Sequence, residues 1–257
     1  MSMLSPKITN AFCSSCGDTH SLALEPALHA AKILMGQLEK KKHINLDSDS
    51  TIPPQELQTD YLYGKARGKM FGVLVCRTRD GKEVVLKSFS GQYNGIWEIK
   101  GWVSPLFDVQ KFYRLNNPQE KQIKALGREA DNVSISAGTR KNLLQKRKNL
   151  SRQLMKNIHA LYKLHNFRGK QCSLFDLFPE GKGIPTGTGD CCAPKLLNYA
   201  AIRGLQPLGL AEFYWGRTNK SATRHEGLFY PACQDKCGPI LGFLLCGLET
   251  KEDRCKN

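Results

Sequence analysis

Residues 70–76 (MFGVLVC) form a nearly unbroken apolar run, and this run constrains the fold more than any other stretch. It opens the segment KMFGVLVCRTRDGKEVVLKSFSG (69–91), in which two β-rich stretches flank Asp80-Gly81, a two-residue turn signal. A strand with no polar alternation is one that is buried on both faces. It therefore needs cover on both sides, as in an α/β architecture in which helices pack on either face of a sheet. With 257 residues and 40% hydrophobic content, the chain can bury a core of that kind.

The rest of the chain reads as elements around that hairpin. Residues 24–41 predict an amphipathic helix with Leu24, Leu28, Ala31, Ile33, Leu34 and Leu38 near one side. The polar stretch 42–67, with Pro53-Pro54, predicts a linker or loop, and GIWEIKGWVSPLFD (95–108) a third extended piece. Residues 117–165 are rich in Lys, Gln and Leu, with Leu143, Leu150, Leu154, Ile158 and Leu161 at helical spacing. They predict a helical hairpin or long helix that Pro118 opens and Gly138 interrupts. CSLFDLF (172–178) reads as a short amphipathic segment. CAPKLLNYAAIRG (192–204) predicts a helix with Pro194 in its first turn and Gly204 as its stop, and LQPLGLAEFYWG (205–216) a strand. GPILGFLLCGLE (238–249) predicts a closing helix with Pro239 near its start.

Charge is concentrated. Of a net +15, residues 139–170 hold ten Lys/Arg and no Asp or Glu. The i,i+4 acid–base pairs of an ordinary solvated helix are therefore missing, and such a stripe suits a polyanion. Arg140, Lys141, Lys146, Arg147, Lys148, Arg152 and Lys156 are the expected RNA-binding residues. No apolar run reaches the length of a membrane span, and the first twenty residues lack the pattern of a secretory signal. Ten cysteines in such a chain predict a reducing, cytoplasmic setting in which thiols act as ligands, nucleophiles or buried apolar groups. Nucleotide-binding glycine loops and the G-x-S-x-G elbow of serine hydrolases are absent. Tyr214 and Trp215 are candidates for base stacking or for the core.

Four thiols stand at two expected helix starts: Cys191 and Cys192 in GTGDCC, and Cys233 and Cys237 in YPACQDKC. A helix N-terminus favours a thiolate, and thiolates suit zinc, with three protein ligands leaving one position open. The arrangement resembles the zinc-dependent nucleobase deaminases, whose motifs are His/Cys-x-Glu and Pro-Cys-x-x-Cys, each at a helix start. The matching ligands are Cys191, Cys233 and Cys237, with Cys192 facing the core. The second pair here is C-x-x-x-C, and Ala193 stands where the proton-shuttling Glu belongs. Asp190, Glu212 and His225 are the candidate catalytic substitutes. Cys13 and Cys16 form a C-x-x-C with no second pair at finger spacing, which leaves metal open there. Cys76, Cys172 and Cys246 read as packing.

PTGTGDCCAPKLLNYA, LQPLGLAEFYWG and FYPACQDKCGPILG are similar to the N-terminal region that precedes the catalytic domain in bacterial pseudouridine synthases of the RluA family. The likeness extends to SRQLMKNIHALYKLHNFRGKQCSLFDLF and to GKMFGVLV, SFSG and PLFD, over most of residues 20–248. The catalytic Asp motif of that family has no counterpart; the nearest string is Arg114-Leu115-Asn116. The resemblance implies RNA modification without the isomerase chemistry. The expectation is thus one α/β domain over 1–257, with a deaminase-like three-layer core (a mixed sheet with helices) and a basic helical insertion over 117–170. It would bind zinc and tRNA or rRNA as an accessory module, with a separate pseudouridine synthase polypeptide as a possible partner and no membrane contact. An active nucleobase deaminase and a metal-free structural partner protein are the alternatives.

Overall fold

In the computed structural model, which describes residues 8–47, 53–179, 181 and 183–248, the apolar run is a central strand. In chain order the elements are β1 (Ile8–Phe12), β2 (Thr19–Ala23), α1 (Glu25–Lys41), β3 (Lys69–Arg77), β4 (Glu83–Phe89), α2 (Val109–Ala130), α3 (Ala137–His159), β5 (Leu164–His165), β6 (Gln171–Cys172), α4 (Cys192–Arg203), β7 (Gln206–Trp215), β8 (Phe229–Tyr230) and α5 (Gln234–Leu245). The main sheet has the order β4-β3-β7-β8. The β1-β2 and β5-β6 hairpins stand apart from it.

Side chains on β3 alternate between two cores, as the period of two requires. Phe71, Val73 and Val75 join Ala211, Phe213 and Trp215 of β7 and the inner face of α1, through Ala27, Ala31, Leu34 and Leu38. Leu74 and Cys76 face the other way, against Leu196, Leu197 and Ala200 of α4 and Ile240, Leu241 and Leu244 of α5. Helices thus cover both faces, giving three layers. The mixed sheet expected from the sequence is corrected: every neighbouring pair is antiparallel. Parallel neighbours need crossover connections, whereas β3-β4 and β7-β8 are joined by loops that simply turn the chain back.

Gly72 sets how closely α4 lies on the sheet. A Cβ there would come 2.5 Å from the Cβ of Cys192. The opposite residue on β7 is Glu212. The α4 helix ends where expected, with Gly204 in the left-handed conformation (φ 62°).

Other expectations shift. Ile33 is exposed, so the buried stripe of α1 runs through Ala27 instead. The stretch expected as a linker holds two 3-10 turns and buries Ile44, Leu46, Leu57 and Leu62; of its residues, 48–52 lie outside the described ones. Residues 95–108 form no strand but bury Trp97, Ile99, Trp102, Val103, Leu106 and Phe107. The helical hairpin starts earlier than expected, because the Asp108 side chain accepts from the Lys111 N–H and caps α2, leaving Pro118 inside the helix. It breaks at residues 131–136, where the Ser136 side chain caps α3, so Gly138 sits in the first turn. Likewise α5 begins after Cys233, and Pro239 lies within it. Residues 172–178 supply β6 and a 3-10 turn. No helix among the described residues is long and apolar enough to cross a membrane.

Replacing Gly72 by Ala should overpack the β3–α4 contact and cost about 1–3 kcal/mol. By contrast, Gly36 in α1 is exposed and a Cβ there meets nothing within 4 Å. Gly36→Ala should raise stability by about 0.5–1 kcal/mol. Urea denaturation midpoints of the two variants should therefore move in opposite directions.

Candidate metal centre

The sulfurs of Cys191, Cys233 and Cys237 all lie within 4.8 Å of one another. Cys191 is the N-cap of α4 and Cys233 the N-cap of α5, with Cys237 one turn further along α5. The extra residue of C-x-x-x-C is accommodated because positions four apart in a helix share a face. Hydrogen bonding by the Cys191 and Cys237 thiols holds the Cys233 thiol below its usual range, and the N–H groups of Lys236 and Cys237 act the same way. Hydrogen bonds with the Cys233 and Cys237 thiols, together with burial, push the Cys191 thiol up. A group of this kind can hold a metal ion. Tetrahedral zinc with Zn–S near 2.3 Å sets its sulfurs about 3.8 Å apart, which the three thiols can meet. Cys237 is buried, while Cys191 and Cys233 are half-buried. Cys192 is buried as expected, its Sγ 3.4 Å from the Met70 carbonyl oxygen.

Of the three acid–base candidates, Glu212 is the one whose side chain reaches the start of α4. Its Oε1 accepts from the Ala193 N–H at 2.6 Å. The carboxylate of the neighbouring strand thus sits against the backbone of Ala193 in the first turn of α4. Burial pushes its carboxyl up to about 8. Asp190 precedes Cys191, but its Oδ1 accepts from the Tyr162 hydroxyl at 2.7 Å and burial raises its carboxyl. His225 is not brought to the cluster. It is exposed on the loop between β7 and β8, its backbone N–H donating to the Tyr230 hydroxyl. Tyr214 and Trp215 are both buried and offer no stacking face.

Sequence reasoning passed over Lys195, which is 1% exposed one turn into α4. Its Nζ donates to the Gly91 carbonyl at 3.3 Å and lies 4.7 Å from the centre of the Phe89 ring. Burial brings it down to about 8. A lysine between Pro194 and Leu196-Leu197, on a helix otherwise apolar on every side at that level, was the available signal.

Among the basic residues, Arg140, Lys141, Lys146, Arg147, Lys148, Arg152 and Lys156 are all exposed on α3. None of them forms an ion pair among the described residues. Lys141, Lys148, Arg152 and Lys156 recur at i, i+7, i+11 and i+15 and so share one face. Arg147 turns toward α2, where its guanidinium lies over Gly127. A cavity of about 760 Å³ opens beside Arg152 and Lys156, with Met155, His159, Phe175 and Phe178 in its wall.

No protein-family model, curated protein or solved structure matches the chain.

The Glu212–Ala193 contact yields a stability prediction. Glu212→Gln keeps an acceptor for the buried N–H and should change the urea midpoint little. Glu212→Leu strands that N–H and should cost about 1–3 kcal/mol.

Proposed function

We propose that this chain is a zinc-binding, RNA-contacting module that serves tRNA or rRNA modification. The observation that carries the reading is the convergence of three sulfurs from two helix N-termini within 4.8 Å. Cys191, Cys233 and Cys237 would hold the ion. The donor set is all thiol, which suits zinc over the harder oxygen-seeking cations. The seven exposed cations of α3, none ion-paired among the described residues, support contact with a polyanion, since such side chains neutralise phosphates and release counterions. The neighbouring cavity supports contact with RNA in particular. It joins Arg152 and Lys156 to Phe175 and Phe178, and an unstacked base can lie on such rings. The likeness to the region that precedes RluA-type synthase domains motivates the modification context, with a separate synthase as the catalytic partner.

Glu212 favours a second reading, hydrolytic nucleobase deamination. Zinc would supply Lewis acidity there. Glu212, with its carboxyl up near 8, can give or take a proton near neutral pH. It does so as the substitute for the side chain that Ala193 lacks.

Two measurements test these readings. Lys141, Lys148, Arg152 and Lys156 all changed to Glu should weaken RNA binding at least tenfold and flatten the plot of log affinity against log salt. The expected loss of slope is about 0.7–0.9 for each phosphate contact removed. Unchanged affinity and slope would make the stripe a solvated surface. For the second reading, protein incubated with tRNA should produce inosine or uridine in digested nucleosides by mass spectrometry, and Glu212→Gln should abolish the product. If no product forms, the binding-only module stands.

A further inference from the structure

A second set of ligands lies at the other end of α5. Cys13, Cys16, His20 and Cys246 each present one ligand atom, and the four atoms lie within 4.8 Å of one another. They are distant in sequence, and the fold explains why they meet. Burial alternates along β1 so that Thr9 and Ala11 face inward, and Cys13 continues that alternation. His20, paired with Ala11, faces inward from β2. The turn between the strands is closed by the Gly17 N–H donating to the Cys13 carbonyl and the Cys13 N–H donating to the Asp18 carbonyl. Gly17 takes the left-handed conformation there (φ 78°), which brings Cys16 back beside Cys13. Cys246 caps the C-terminal end of α5 and arrives from the opposite side.

Two distances define the cluster: Cys16 Sγ to His20 Nε2 at 3.1 Å, and Cys246 Sγ to Cys16 Sγ at 3.7 Å. Around tetrahedral zinc, S–N and S–S separations are about 3.5 and 3.8 Å. Cys13, His20 and Cys246 are buried, so the set is closed to solvent on most sides. Three sulfurs and one imidazole complete a tetrahedron, the donor set of structural zinc, in contrast to the three-thiol set at the start of α5.

We propose that Cys13, Cys16, His20 and Cys246 form a structural zinc site that fastens the β1-β2 hairpin to the end of α5. Among the described residues its two five-residue strands pair only with each other, so the hairpin is held to the fold by packing, through Ala11 and Leu22 in the core, and the metal would add a covalent-strength tie at its turn. The helix already sits close to it: a Cβ on Gly242 would come 1.9 Å from the Phe12 carbonyl oxygen. Twelve residues of helix, about 18 Å, join this site to Cys233 and Cys237. Zinc here therefore fixes the rod that carries two of the three ligands proposed above, a consequence that rests on that earlier reading, although the site itself does not.

The test is zinc stoichiometry of tag-free, reduced protein. Wild type should carry two equivalents, Cys191→Ser/Cys233→Ser one, and Cys16→Ser/Cys246→Ser at most one. X-ray absorption at the zinc edge of Cys191→Ser/Cys233→Ser should show three sulfurs at about 2.3 Å and one nitrogen near 2.0 Å. His20→Cys should keep this zinc with a fourth sulfur, which guards against reading a simple folding failure as loss of a ligand. A zinc-free but folded Cys191→Ser/Cys233→Ser protein overturns the proposal, and with one equivalent in wild type it leaves the first site standing. One equivalent in wild type that survives in that variant with three sulfurs and one nitrogen upholds the proposal and removes zinc from Cys191, Cys233 and Cys237.

Discussion

The seat of α4 on the sheet governs the rest of the structure. Because Gly72 has no side chain, Cys192 settles against β3, and the start of the helix comes down next to Glu212 on β7. One hydrogen bond, from the Ala193 N–H to Glu212 Oε1, then satisfies a donor that burial would otherwise strand. A carboxyl 4% exposed is tolerated there because it has that partner and because burial favours its neutral form. With α4 seated, Cys191 has one position available to it, and α5, packed against α4, brings Cys233 and Cys237 to meet it.

Local rules made the frame legible. The double-sided burial of 70–76, the Gly204 stop and the thiols at helix starts all follow from patterns contained within a few residues. What escaped were features decided at long range. Residues 95–108 look like a strand because they are aromatic and β-branched, yet the Trp102 backbone N–H turns back to the Ile99 carbonyl and only the Val103 N–H reaches β4, at the Lys87 carbonyl. Cys246 is buried, as a packing residue would be, but its approach to Cys16 could not be read because 230 residues separate them. Nor can a sequence show that Glu212, cross-strand from Gly72, accepts from the Ala193 N–H. His225 failed for the opposite reason: nearness in sequence to Cys233 says nothing when a loop carries it outward.

The basic helices and the cysteine cluster are not independent. The hairpin of α2 and α3 is rooted in the core at its open end, where Val109 and Phe112 meet Leu154 and Ile158, while Val133 near its tip is exposed. Three residues past the end of α3, Tyr162 packs on Phe107 and donates its hydroxyl to Asp190, the residue before Cys191. Asp190 in turn gives its carbonyl to the Gly91 N–H, and Gly91 gives its own to Lys195. The end of α3 is thus linked to the first turn of α4 through one phenol, one carboxylate and one peptide. Buried hydrogen bonds of this kind hold or break as a set, since a severed member leaves its partner unsatisfied in a low-dielectric interior. The end of α3 and the first turn of α4 are thus joined through buried hydrogen bonds in the fold's interior.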